Sequence, residues 1–177
     1  MGPGIGNAAD YGSGLATAPD NHNRTAAARM TIPVTVVTVC AMPPFHLAFP
    51  VHDLDAARAF YGDLLGCLEG RSSEQWVDFD FFGHQIVAHL APQECVGAGH
   101  SSVDGKQVPV RHFGLVLDMD TWARLADRLT GQVEFVIDPH TRFKGEPGEQ
   151  ATMFFCDPSG NAIELKALAE IEQLFAK

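Results

Sequence analysis

Three residues able to hold a cation stand in similar company. Glu164 lies in "NAIELKA", between Ile163 and Leu165; His112 opens "HFGLVL", and His46 opens "HLAFPV" 66 residues earlier. Alternate residues of a strand share a face, so Ile163 and Leu165 would turn to a core while Glu164 turns the other way with Ala162 and Lys166. A carboxylate on a dry face is costly unless it is paired or bound to a metal. Two imidazoles and one carboxylate on three strands form a 2-His-1-carboxylate set, which suits Fe(II) and also admits Mn or another divalent ion. Each residue taken alone reads more readily as a polar group satisfied by solvent or a neighbour. What singles them out is that they fall at matched positions of a repeat.

The elements that would position them are written twice. With His46 laid on His112, "FHLAFPV" and "HFGLVL" are short β-rich runs, each followed by Asp and then by a 3.6-residue apolar period. Leu54, Ala57, Phe60, Tyr61, Leu64 and Leu65 make one helical stripe; Trp122, Leu125, Ala126 and Leu129 make the other. Asp53 or Asp55, and Asp118 or Asp120, can cap these helices, and Gly66 and Gly131 stand where they should stop. Each helix precedes three strand-like runs, 68–71, 76–82 and 85–90 in the first set and 134–143, 151–156 and 162–168 in the second. "DFFG" at 80–83 and "DPSG" at 157–160 turn the last pair of each set, Asp matching Asp and Gly matching Gly. Residues 92–109 read as a polar, Gly-rich linker. The pattern is an internal duplication, βαβββ twice, in an α+β chain.

A paired βαβββ pattern with His on the first strand of each module, "FY…LLG" at 60–66 and "DPSGNAIEL" closing the second module resembles the vicinal oxygen chelate superfamily. That superfamily includes glyoxalases, extradiol ring-cleaving dioxygenases, fosfomycin-resistance enzymes and bleomycin-binding proteins. The resemblance covers about residues 45–168 and implies half-open mixed sheets around a cleft with a divalent metal at its floor. It implies His46, His112 and Glu164 as ligands, with Fe(II) favoured and Mn, Ni or Zn also accommodated.

The repeat adds detail. Glyoxalases of this kind use a fourth ligand from the last strand of the first module, but "DFFGHQIVAH" laid over "DPSGNAIELK" puts Val87 opposite Glu164. His89 falls one step further on the same face, about 6.6 Å along. It is a candidate proton carrier, or a fourth ligand after a one-step bulge, or a core-edge histidine. Three protein ligands leave room for a bidentate substrate or dioxygen, as in the dioxygenases. The Tyr and His that those enzymes place before the closing motif are missing: Phe154 stands at the Tyr position, and residues 144–153 hold no His. Arg142 and Lys144 lie in a hairpin longer than its counterpart. They could hold a substrate carboxylate or phosphate, or be a solvated charged turn.

Composition bounds the rest. A chain of 177 residues with 46% apolar and 19% charged residues has enough apolar content for one substantial core. The net charge of -10 argues against nucleic acid as a partner. Cys40, Cys67, Cys95 and Cys156 form no C-x-x-C pair and read as thiols of a reducing, cytoplasmic compartment. Residues 1–42 read as a tail: "MTIPVTVVTVCAM" at 30–42 is too short to span a membrane and weakly imitates a secretory signal. The expectation is one domain over 43–170, with modules at about 45–91 and 110–168, and a short tail over 171–177. Its function would be that of a metal-dependent, dioxygenase-like enzyme on a small vicinal-oxygen substrate, with a homodimer allowed. The alternatives are a glyoxalase-type isomerase or lyase, and a non-catalytic small-molecule-binding protein.

Overall fold

A computed structural model describes residues 43–103 and 105–175. The expected tail over 1–42, with Cys40, lies outside the described residues. Both modules form as the periodicity predicts. Strand β1 (His46–Val51) leads into a short helix α1 (Leu54–Ala57), then β2 (Leu68–Ser72), β3 (Trp76–Phe81) and β4 (His84–Leu90). In the second module β7 (His112–Leu117) leads into α2 (Met119–Leu129), then β8 (Phe135–Arg142), β9 (Gln150–Cys156) and β10 (Ala162–Leu168). The sheets have orders β1-β4-β3-β2 and β7-β10-β9-β8. In each, the first strand runs parallel to the last and the remaining pairs are antiparallel.

Register confirms the duplication. His46 lies opposite Gln85 and His112 opposite Ala162, so the pairing of first and last strands is the same in both modules. One correction concerns the turns. Asp80 pairs with Gln85, but it is Cys156 that pairs with Ala162, which puts Asp157 just beyond the strand and out of step with Asp80. The second turn is wider because the Asp157 carboxylate organises it, accepting from the backbone N–H of Ser159 and Asn161 at 2.9 and 2.8 Å.

Two other expectations change. The first helical stripe is α-helical for one turn and π-helical over Arg58–Leu64, where Leu65 N–H donates to Phe60 O five residues back at 2.9 Å. The wider turn accommodates Phe60 and Tyr61 together in the core, and the Tyr61 hydroxyl donates to Asp157 at 2.9 Å. The expected linker over 92–109 instead holds a 3-10 turn (Pro92–Glu94) and a hairpin of β5 (His100–Val103) and β6 (Lys106–Pro109). The Asp-Gly before Lys106 is hairpin turn chemistry, but both strands are largely exposed and so lack the alternation that marks a half-buried strand. Past β10, Ile171–Phe175 form a 3-10 turn.

The caps behave as expected. Asp53 accepts from Ala56 N–H and Asp118 from Thr121 N–H, each at 2.8 Å, and these backbone bonds hold both carboxyls below their ordinary range. Gly66 and Gly131 take positive φ just past the two helices, where a side chain would be strained. One core joins the modules: Phe49 lies 5.4 Å from Tyr61 and 5.2 Å from Phe113, and Trp122 donates to the Leu165 carbonyl at 2.8 Å. Both sheets turn their apolar faces into this core. Their other faces carry the polar residues.

Candidate metal centre

Strand β10 alternates as the sequence demands: Ile163, Leu165 and Ala167 are fully buried, while Glu164 and Lys166 are half-buried on the opposite face. That face meets β7, and His112 Nε2 stands 3.3 Å from Glu164 Oε2. The imidazole is fixed from behind, its Nδ1 lying 2.7 Å from the Pro109 carbonyl oxygen. A carbonyl can only accept, so Nδ1 carries a proton, and in the neutral ring the lone pair of Nε2 turns toward a carboxylate oxygen. Two acceptors at that distance repel unless a proton or a metal cation lies between them. The other carboxylate oxygen is occupied: Oε1 accepts from the Thr152 hydroxyl at 2.8 Å and lies 3.3 Å from Lys166 Nζ. This donor set fits a divalent ion, with one imidazole nitrogen and one carboxylate oxygen presented to the same point.

The close approach of β7 to β10 depends on Gly114. A Cβ there would lie 1.6 Å from the Glu164 carbonyl oxygen, so any side chain would force the strand carrying His112 away.

His46 does not join this pair within the chain. It sits exposed on β1 in the other sheet, its Nδ1 2.8 Å from Gln85 Oε1. Among the described residues no group of three or more His, Cys, Asp or Glu side chains could hold a metal. Val87 is buried on β4 at the repeat position of Glu164. His89 is exposed near the end of β4, two residues beyond Val87 and therefore on the same strand face.

Beside His112 and Glu164 opens a cleft of about 440 Å³ on the face of the second sheet. Lys106, Arg142, Lys166 and His140 line it, with Ile137 and Phe154 among its apolar walls. Lys106 Nζ lies 3.2 Å from His140 Nε2, the Arg142 guanidinium sits over the Phe143 ring at 5.2 Å, and the Phe154 ring meets His112 edge-on at 5.1 Å. Of the two basic residues singled out in the long hairpin, Arg142 faces the cleft, whereas Lys144 is exposed in the following turn and is not part of its lining. Sequence reasoning passed over Lys106 and His140. Lys106 sat in a presumed linker, and strand β8, which carries His140, is irregular enough to blur its alternation. Thr152 could have been found, since it lies two residues before Phe154 and therefore on the same face of β9.

The model for the Glyoxalase/Bleomycin resistance protein/Dioxygenase superfamily matches residues 44–165, which span both modules and all three candidate ligands. The chain belongs to this superfamily. A glyoxalase/bleomycin resistance protein/dioxygenase from Alicyclobacillus acidocaldarius is 32% identical, with 75% of this chain and 96% of that one covered and a TM-score of 0.60. A fosfomycin resistance protein from Listeria monocytogenes, at 19% identity over 69% of this chain and 89% of that one with a TM-score of 0.53, shares the fold. None of the curated proteins matches significantly. Superfamily membership agrees with the α+β architecture of two βαβββ modules. No helix among the described residues is long and apolar enough to cross a membrane.

Proposed function

We propose that this superfamily member is a divalent-metal-dependent enzyme acting on a small anionic substrate with vicinal oxygens. The observation that carries this reading is the 3.3 Å approach of His112 Nε2 to Glu164 Oε2 in a ring whose Nδ1 is already bonded to Pro109. His112 and Glu164 would hold the ion from one chain. A third ligand must come from outside that pair, and His46 is its repeat mate on the exposed face of the first module. A two-fold dimer setting the first module of one copy against the second module of another would complete two equivalent sites. Three protein ligands with Val87 at the fourth position give the 2-His-1-carboxylate set of an extradiol dioxygenase. Fe(II) fits that set first, with Mn, Ni or Zn as further occupants.

When bound, the ion would act as a Lewis acid toward two adjacent substrate oxygens. The chain's own residues would do the rest. Thr152 and Lys166 hold Glu164 in place through Oε1, keeping Oε2 turned to the ligand point. Lys106 and Arg142 would attract and orient the substrate's negative charge at the cleft mouth, with Lys144 adding charge from the turn beyond. Ile137 and Phe154 exclude water from one wall, and Phe154 offers no hydrogen bond to a substrate oxygen. His89, on the same strand face as Val87, would move a proton in the completed site.

Metal analysis of protein purified without oxygen tests this reading. About one divalent ion per chain in the wild type, lost in Glu164→Gln, is the expected result. A wild type without metal that binds small anions would leave a non-catalytic binding protein in its place.

A further inference from the structure

The first module holds a buried acid that the scheme above does not use. Asp78 on β3 is 6% exposed and pairs with Val87, so it shares a sheet face with Gln85 and His46. Its Oδ2 lies 2.9 Å from Gln85 Nε2 and 3.6 Å from the Arg71 guanidinium. A carboxylate can only accept, so the amide nitrogen of Gln85 must face Asp78 and its oxygen must face the other way. That oxygen is 2.8 Å from His46 Nδ1. An amide oxygen also only accepts. The proton of a neutral His46 ring therefore sits on Nδ1, and the lone pair sits on Nε2.

The second module reaches the same state by other means. There the His112 Nδ1 proton goes to the Pro109 carbonyl, while Ala162 stands at the repeat position of Gln85 and Phe154 at that of Asp78. The two histidines thus share one tautomer with unrelated partners, and in both the outward nitrogen is Nε2.

We propose that Asp78, acting through Gln85, is a positioning residue that fixes His46 in the Nδ1–H tautomer and so presents Nε2 as a metal ligand. The proposal rests on His46 being a ligand, as read above. A metal-bound imidazole gains orientation and basicity from a partner on its other nitrogen, and loss of such a partner weakens metal binding roughly 10–100-fold. Asp78→Asn removes the constraint, because an Asn side chain can either donate or accept and Gln85 is free to turn over. Gln85→Leu removes the acceptor itself. Asp78→Asn combined with Gln85→Glu restores the chain of bonds: the introduced amide donates to the introduced carboxylate, and that carboxylate accepts from His46 Nδ1.

The test is nitrogen-15 NMR of the histidine rings in metal-free protein, at a pH where they are neutral, followed by titration with Mn(II). Backbone amide spectra of the same samples check that each variant is folded. The expected result is an Nδ1–H ring for His46 in the wild type and the double variant, and conversion toward Nε2–H in both single variants. Mn(II) affinity should fall roughly 10–100-fold in the single variants and recover in the double variant. An Nε2–H ring in the wild type, or an unchanged ring in both single variants, overturns the proposal. A ring that changes tautomer while Mn(II) affinity stays constant removes His46 from the ligand set instead, so the two failures are distinguishable.

Discussion

His112 Nε2 lies 3.3 Å from Glu164 Oε2, and the other ring nitrogen of His112 is already bonded to a backbone carbonyl. The strand register prepares this meeting. Gly114 pairs with Glu164 on neighbouring parallel strands, which brings the side chain of His112, two residues back on the same face, up to the carboxylate.

Glu164→Gln keeps the shape and the bond from Thr152 but removes the charge that binds a cation. Metal affinity should drop by roughly 100-fold or more, beyond the effect of losing an outer partner, with little change in the urea midpoint. Metal content by mass spectrometry, together with denaturant curves on metal-free protein, checks this. Full metal content in the variant would remove Glu164 from the ligand set.

Mixing two defective variants tests where the third ligand comes from. His46→Ala and Glu164→Ala homodimers should each hold little metal. After unfolding and refolding together, random pairing makes half the dimers hybrid, each with one intact site, so occupancy should recover to about a quarter of the wild-type value. No recovery would show that His46 does not act across copies.

Gly114→Ala should separate β7 from β10, since its Cβ would collide with the Glu164 carbonyl oxygen. Overpacking of this kind costs about 2–3 kcal/mol, readable from urea unfolding. Metal affinity should fall with it, because the strand that yields is the one carrying His112. An Ala variant as stable as the wild type would mean that the strands do not meet this closely.

Alkaline stability should depend on Cys67. Burial, and then the charge of Asp80, push its thiol from 9.0 up to about 12. A folded pKa raised above the unfolded one gives stability that is complete below about 9 and declines as pH rises toward about 12. Tyr61, raised by burial and by Asp157, declines in the same direction above its ordinary range. Urea midpoints measured from neutral to alkaline pH should therefore fall for the wild type and fall less steeply for Cys67→Ala. Equal slopes would place the Cys67 thiol in water.

The duplication, both helix caps and the strand face of Glu164 were legible in the sequence because each follows from local chemistry. A period of two puts Glu164 opposite Ile163 and Leu165, an Asp ahead of an apolar stripe caps a helix, and a repeat transfers register from one module to the other. The hairpin of β5 and β6 was less legible, because its strands are largely exposed and carry no hydrophobic period. Which residues meet was decided by tertiary structure alone. His46 and His112 have equal standing in the repeat, yet only His112 faces Glu164 in one chain, because each sheet turns its apolar face to the shared core and its polar face outward. Gln85 and Asp78, unremarkable in the sequence, gain meaning only when β1, β3 and β4 lie side by side and one hydrogen-bond chain can run across all three.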